Sequence, residues 1–275
     1  GVVLAGGTSG TTITDSTISS LQAGLPGAQG EGEMAPDMPD HQASYGLWIE
    51  ADSLDNILSE SVLVDGDPLI YRYGASGETI SELSLSSPMN MTNWGEVVIF
   101  NSESITLKSL SVTGARGSQG ESGIDNNGPP SVVAPTAGEE AVGVRMEGCL
   151  GCSLIDVSIG EITGGTGGSA IHEAAPAGAG IGLHVAACEG LSVEHLAISH
   201  ITGGTGAGTR YGSQSGSAVG PGLAFRLVST AKATPTTVDL HQVTVVGVEG
   251  GAGGVQTQFD QQVDPGPAHA VFLEE

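Results

Sequence analysis

Two histidines and two carboxylates recur at one spacing, Asp156 to His195 and Glu161 to His200, each 39 residues apart. If the chain repeats at that interval as stacked strands, each imidazole stands beside a carboxylate about 4.8 Å away. A neighbouring acid favours imidazolium and is raw material for general acid–base catalysis. The same interval joins Cys149 to Cys188. A separation of about 4.8 Å lies within the ~4.4–6.8 Å Cα range of a disulfide. The spacing therefore predicts a Cys149–Cys188 bridge, or two stacked thiols, with Cys152 as a small buried hydrophobe. A bridge would imply an oxidising, extracytoplasmic setting. No third group completes a nucleophile, so the plainer reading of the His–carboxylate pairs is cross-strand contact on a solvated face, about 0.2–1 kcal/mol each.

Other residues offer less. Asp65-Gly66-Asp67 and Asp37, Asp40 and His41 carry oxygen or nitrogen ligands in turns, so Ca²⁺ is the one ion the sequence suggests, and no other cofactor is expected. Neither stretch has the spacing of an EF-hand loop. Cys149-x-x-Cys152 lacks a second such pair for zinc. Trp48 is a candidate for stacking a sugar ring, or a side chain covered by a loop. Of the 7 Lys and Arg, Arg116 and Arg210 fall in loops, and Arg145 and Arg226 fall in different columns of the repeat frame, so no basic cleft is expected.

A formal net charge of −24 argues against nucleic acid and anionic lipid as partners. No apolar run approaches the roughly 18 residues of a membrane span, so no membrane insertion is expected. The chain starts at Gly1 and shows no signal peptide, which reads as a processed chain or a piece of a longer protein, one domain over 1–275.

The elements that position these residues come from a repeat. Ile181–Ile201 (IGLHVAACEGLSVEHLAISHI) aligns without a gap on Val142–Ile162 (VGVRMEGCLGCSLIDVSIGEI). Alternation at period two marks half-buried strands, and breaks at Ala186–Gly190 and Glu194–His195 mark corners. One such turn cannot bury its inner face alone and needs copies above and below. Weaker copies place Val98 and Phe100 inward upstream, with one residue fewer at the next corner. Further upstream they place Ile57 and Ser59 inward, and downstream Leu223 and Phe225. Turns then start near Gly1, Gly46, Gly95, Gly143, Gly182, Gly222 and Ala268, at a spacing of about 39 to 49 residues. Segment 66–94 stands out as an odd insertion whose Ile80, Leu83 and Leu85 should pack down somewhere.

A bare turn of this kind needs only about 22 residues, so the excess lies in one insertion per turn, which maps to one face. These segments, Gly24–Tyr45, Gly114–Ala141, Gly164–Gly180, Gly203–Gly220 and Gly250–Pro267, hold much of the 45 Gly. Glycine recurs every third residue at Gly114, Gly117 and Gly120, far too briefly for a collagen triple helix. Extended segments packed side by side, or ordinary flexible loops, are the two readings.

Through the recurring word G-Φ-x-Φ … Φ-x-Φ-x-x-Φ-x-Φ (Φ apolar), nearly the whole chain resembles the right-handed parallel β-helix, or pectin-lyase-like, superfamily. The resemblance implies an all-β solenoid of about six turns with long Gly-rich loops at one corner of each. It leaves function open, because the superfamily holds lyases, polygalacturonases, phage tailspikes and non-catalytic surface proteins. Its lyases use basic residues with Ca²⁺, and its hydrolases use clustered carboxylates. No paired-Asp word of the hydrolase type occurs here. The expectation is a non-enzymatic extracellular or cell-surface protein, a stalk or fibre-forming module associating head to tail through open ends. The alternative is a carbohydrate-active enzyme or polysaccharide-binding spike. An ordered groove with two close carboxylates on the outer strand faces would favour that alternative.

Overall fold

A computed structural model describes residues 2–19, 45–59, 61–86, 90–120, 135–169, 174–207, 219–228, 236–253, 255–256, 261–262 and 265–274. Asp37, Asp40, His41, Arg210 and Lys232 lie outside the described residues.

The described residues form strands and no helix, so none of them makes a helix able to cross a membrane. Most strands belong to three parallel sheets that the chain visits in rotation. The long-strand sheet runs Ile70–Tyr73, Val97–Phe100, Ala141–Glu147, Gly180–Ala186, Gly222–Val228 and Ala268–Glu274. A second holds Thr79–Ser81, Thr106–Lys108, Ser153–Ile155, Leu191–Glu194 and Val238–His241. A third holds Ser84–Leu85, Ser111–Thr113, Ser158–Thr163, Ala197–Thr202 and Thr244–Glu249. Each passage through the three sheets is one circuit, and successive circuits pair in parallel. Residues 2–68 make smaller sheets, and Asn90–Thr92 returns to pair with Tyr45–Leu47.

The gapless alignment holds throughout the central pair of circuits. Val144 faces Leu183, Met146 faces Val185, Leu154 faces Val193, and Ile159 and Ile162 face Ile198 and Ile201. These side chains are all buried in one continuous apolar core. Full burial of such a residue contributes roughly 1.5–3 kcal/mol relative to exposure, which is why the period-two pattern is kept so strictly.

Four expectations need correction. Segment 66–94 contributes a complete circuit: Ile70–Tyr73, Thr79–Ser81 and Ser84–Leu85 each pair with the following circuit. Its inner column at Arg72 is closed by an ion pair with Glu78 at 2.8 Å, where later circuits place Ile99, Met146 and Val185. Second, Val97 and Ile99, not Val98 and Phe100, share the columns of Val144 and Met146. All four of Val97–Phe100 are buried, because Trp94 and Tyr71 pack edge-on to Phe100 on the outer side, so alternation carries no phase there. Third, Gly222 faces Gly180, which makes Phe225 and Leu227 the inward pair and turns Leu223 outward onto Ile181. Fourth, Leu58 is buried while Ile57 is exposed, and Ser59 is only half-buried.

The glycine-rich segments are interlocked backbone wherever they are described. Gly117 and Gly120 donate to the carbonyls of Thr163 and Thr166. Gly164 and Gly167 donate to Thr202 and Thr205, and Gly203 and Gly206 to Glu249 and Ala252. Donors and acceptors advance by three residues together, the repeat of the extended polyproline II conformation, whose amides bond sideways rather than internally. Spacing is too tight for side chains. A Cβ on Gly165 would lie 1.9 Å from the Ser118 carbonyl oxygen, and one on Gly178 1.8 Å from that of Glu139. The Glu139 carboxylate also accepts the hydroxyls of Tyr45 and Ser118, tying this layer to the Tyr45–Ile49 strand.

Candidate functional site

The corner between the second and third sheets repeats a left-handed residue in every circuit: Glu82, Ser109, Asp156, His195 and Gln242, with φ between 51° and 59°. Asp and His tolerate this conformation better than most L-residues. Asp156 and His195 therefore meet as corner neighbours, with Oδ1 3.1 Å from Nδ1 and both side chains about half exposed. Glu161 and His200 share a second left-handed position, inside the strands of the third sheet, with Gly114 before them and Gly247 after. Their backbones are in register, and no ion pair joins them. Backbone geometry accounts for these polar residues, and among the described residues no additional reactive group converges on either pair.

Cys149 and Cys188 occupy facing corners, and Cys149 N–H donates to Cys188 Sγ at 3.4 Å. Together with Cys152 they are buried free thiols. Asp65 and Gly66 form the turn between Leu63–Val64 and the antiparallel Asp67–Pro68, and Asp67 accepts the Ser86 N–H at 2.9 Å. Among the described residues, no group of three or more His, Cys, Asp or Glu is placed to hold a metal. Trp48 lies in the small sheet beside Val3, edge-on to Tyr45 at 5.3 Å.

A different constellation forms on the outer face of the long-strand sheet. Arg145, His184 and Arg226 share one column in consecutive circuits, contrary to the expectation that the two arginines stand apart. Gly222 faces Gly180, two residues from the expected alignment on Gly182, and this sets Arg226 beside His184. A signal for the true phase exists: Pro221-Gly222 and Pro267-Ala268 stand at equivalent points, their proline carbonyls accepting from Gly180 and Gly222.

Carboxylates interleave with this column. Glu147 takes Arg145 Nη1 at 2.8 Å and lies 3.3 Å from His184 Nε2. Glu140 accepts from Arg226 Nη1 at 2.7 Å and lies 3.7 Å from Arg145 Nη2, while Glu274 binds Arg226 Nε at 2.8 Å. Arg145 also donates Nε to the Trp94 carbonyl and stacks 5.2 Å from the Trp94 ring centre. Burial opposes the charge on Glu147, but the His184 hydrogen bond and Arg145 hold its carboxyl below the ordinary range. Burial, aided by the flanking arginines, lowers His184 despite Glu147, and its Nδ1 is buried without a partner.

Beside Arg226 an open groove of about 380 Å³ separates the glycine layer, at Gly138 and Ala177–Ala179, from Leu223 and Phe272 of the sheet. Glu140 and Glu274 line it, so two carboxylates do share an outer groove. No family model, curated protein or solved structure matches this chain.

Proposed function

We propose that the chain is a non-enzymatic, extracellular structural module: a right-handed parallel β-helix, stiffened along one side by its glycine layer, that associates end to end. One observation supports this reading above the others. Val2–Leu4, Thr12–Ile13 and Thr17–Ile18 are outermost strands of three sheets, and Ala268–Glu274, Val238–His241 and Thr244–Glu249 are outermost in three more. Among the described residues neither set has a strand beyond it, so a second copy can add strands at these edges. Unpaired edges of this kind template further strands. The contact is heterologous and extends into a filament if it does not close. Electron microscopy with sedimentation velocity tests it: concentration-dependent rods support the reading, and a monomer across the accessible range overturns it.

The groove at Arg226 supports a second reading, a carbohydrate-active or polysaccharide-binding spike. Its chemistry favours binding over turnover. Glycoside hydrolysis needs one carboxyl kept protonated. Arg226 instead draws the Glu274 carboxyl below the ordinary range. Glu96, whose carboxyl is pushed upward, is sealed in the core. Nor is Arg226 available as a base, since its two carboxylates raise it further, against the effect of burial. Assay on a panel of polysaccharides separates the readings: turnover overturns the structural one, and binding without turnover supports the spike.

A further inference from the structure

Resting on the end-to-end reading above, we propose that the glycine layer is itself part of the junction. Its last described row, with Gly250 and Gly253 as donors and Gly266 as acceptor, docks an extended run of a second copy that carries glycine at its third place.

The layer is built from a repeated set of bonds. Gly164 and Gly167 donate forward to Thr202 and Thr205, and Gly165 donates back to the Glu139 carbonyl. Gly203 and Gly206 donate forward to Glu249 and Ala252, and Gly204 back to Gly178. Gly251 repeats the backward bond, to Gly220, but the forward donors of its row, Gly250 and Gly253, meet no acceptor among the described residues. The Gly266 carbonyl, equivalent to those of Glu139, Gly178 and Gly220, takes no described donor. Gly253 is buried and Gly250 half-buried, where an unpaired N–H is costly. The row lies between Thr244–Glu249 and Ala268–Glu274, both outermost in their sheets, so the layer and the strands are open at the same end of the stack.

These bonds dictate what fits. The incoming run must be extended, because polyproline II chains bond sideways and present equivalent groups three residues apart. Its first and fourth carbonyls accept from Gly250 and Gly253, and its third N–H donates to Gly266. In the earlier runs the third residue is Gly165, Gly204 or Gly251. A Cβ there would lie 1.9, 2.0 or 1.8 Å from the carbonyl oxygen of Ser118, Gly165 or Gly204 in the row before. The incoming third residue meets the Gly251 carbonyl in the same way and must be glycine. Ser118 holds that place in the first described row, where no earlier described row crowds it. A second copy has runs of the right spacing: outside the described residues, Gly24, Gly27 and Gly30 keep the three-residue interval in sequence.

The test compares amide hydrogen exchange of the isotope-labelled chain at low and high concentration, read by NMR after quenching and dilution, with sedimentation velocity on the same samples. In the dilute chain Gly250 and Gly253 should exchange faster than Gly203 and Gly206. On association they should slow by about tenfold or more, while Gly203 and Gly206 stay unchanged. Gly253→Pro removes one donor while keeping a polyproline II φ, and should weaken association about three- to tenfold at an unchanged melting temperature. Three results overturn this inference and leave the end-to-end reading standing. In the first, association slows the Ala268–Glu274 amides but not Gly250 and Gly253. In the second, those two glycines are already as protected as Gly203 in the dilute chain, and in the third, folded Gly253→Pro associates like wild type. A chain that stays monomeric overturns both.

Discussion

Glu96 and Gly143 stand side by side in one column of the long-strand sheet, with Glu96 N–H donating to the Val142 carbonyl at 3.0 Å. Gly182 and Ala224 continue that column, and a Cβ on Gly143 would lie 2.6 Å from Ile159. A position reserved elsewhere for the smallest residues thus carries a carboxyl. Its Oε2 accepts the Met91 N–H at 3.3 Å, and its Oε1 has no partner. Burial pushes it up to about 8, with Asp67 adding a smaller push.

The sign of the pH effect follows. A carboxyl raised in the fold is neutral there while its unfolded counterpart, at 4.5, ionises. Its contribution is complete below 4.5 and is lost as pH rises to about 8, at about 1.4 kcal/mol per unit. Glu96→Gln should match wild type near pH 5 and exceed it by a few kcal/mol near pH 8. Urea midpoints at the two pH values measure this, and parallel losses in both proteins would refute it.

The Arg145–His184 pair acts on the acid side. His184 is lowered from 6.5, so its contribution is present above 6.5 and falls as pH drops below that value. Glu147, lowered from 4.5, contributes above 4.5 and loses this as pH falls further. Arg145→Met removes a positive neighbour of His184 and a charged partner of Glu147. The variant should lose about 1.5–3 kcal/mol, the range for hydrogen bonds to charged groups. The His184 titration followed by NMR should move upward, and a downward or absent movement would refute the electrostatic account.

The glycine layer makes a steric prediction. Gly178 has no positive φ, so replacement by Ala imposes no backbone strain, only the 1.8 Å approach to the Glu139 carbonyl oxygen. Overpacking against backbone that cannot swing aside should cost about 3 kcal/mol or more. Ser158→Ala, on an exposed face, should cost under about 0.5 kcal/mol. Equal melting temperatures for the two variants would show that the layer yields freely.

How much of this was legible in the sequence depended on phase. Ile181–Ile201 and Val142–Ile162 have clean alternation and equal corners, so their register could be read directly. Val97–Phe100 is apolar at every position because both faces are covered, and alternation cannot choose a phase there. The Ile70–Tyr73 circuit was hidden by Tyr71, Arg72 and Glu78, since its inner column ends in an ion pair rather than an aliphatic side chain. The two-residue offset at Gly222 hides the Arg145–His184–Arg226 column, because aligning Gly222 on Gly182 sets Arg226 beside Ala186. Brief period-three glycine at Gly114, Gly117 and Gly120 did carry information: it marks sideways bonding into neighbouring segments of the same chain.

The open edge supplies the remaining prediction. Leu273 continues the inward column of Met146, Val185 and Leu227, yet it is 71% exposed because no described strand lies beyond it. Val271 ends the neighbouring column and is 48% exposed. At the opposite end Val3 is 65% exposed on an outermost strand. A lysine at 273 would leave the chain's own packing almost untouched, within about 0.5 kcal/mol for an exposed site. Between copies it would place a charge at the centre of the junction, where burial without a partner is costly. Leu273→Lys should therefore keep the wild-type melting temperature at low concentration and abolish concentration-dependent sedimentation. Unchanged association in a folded variant would show that copies do not meet through this edge.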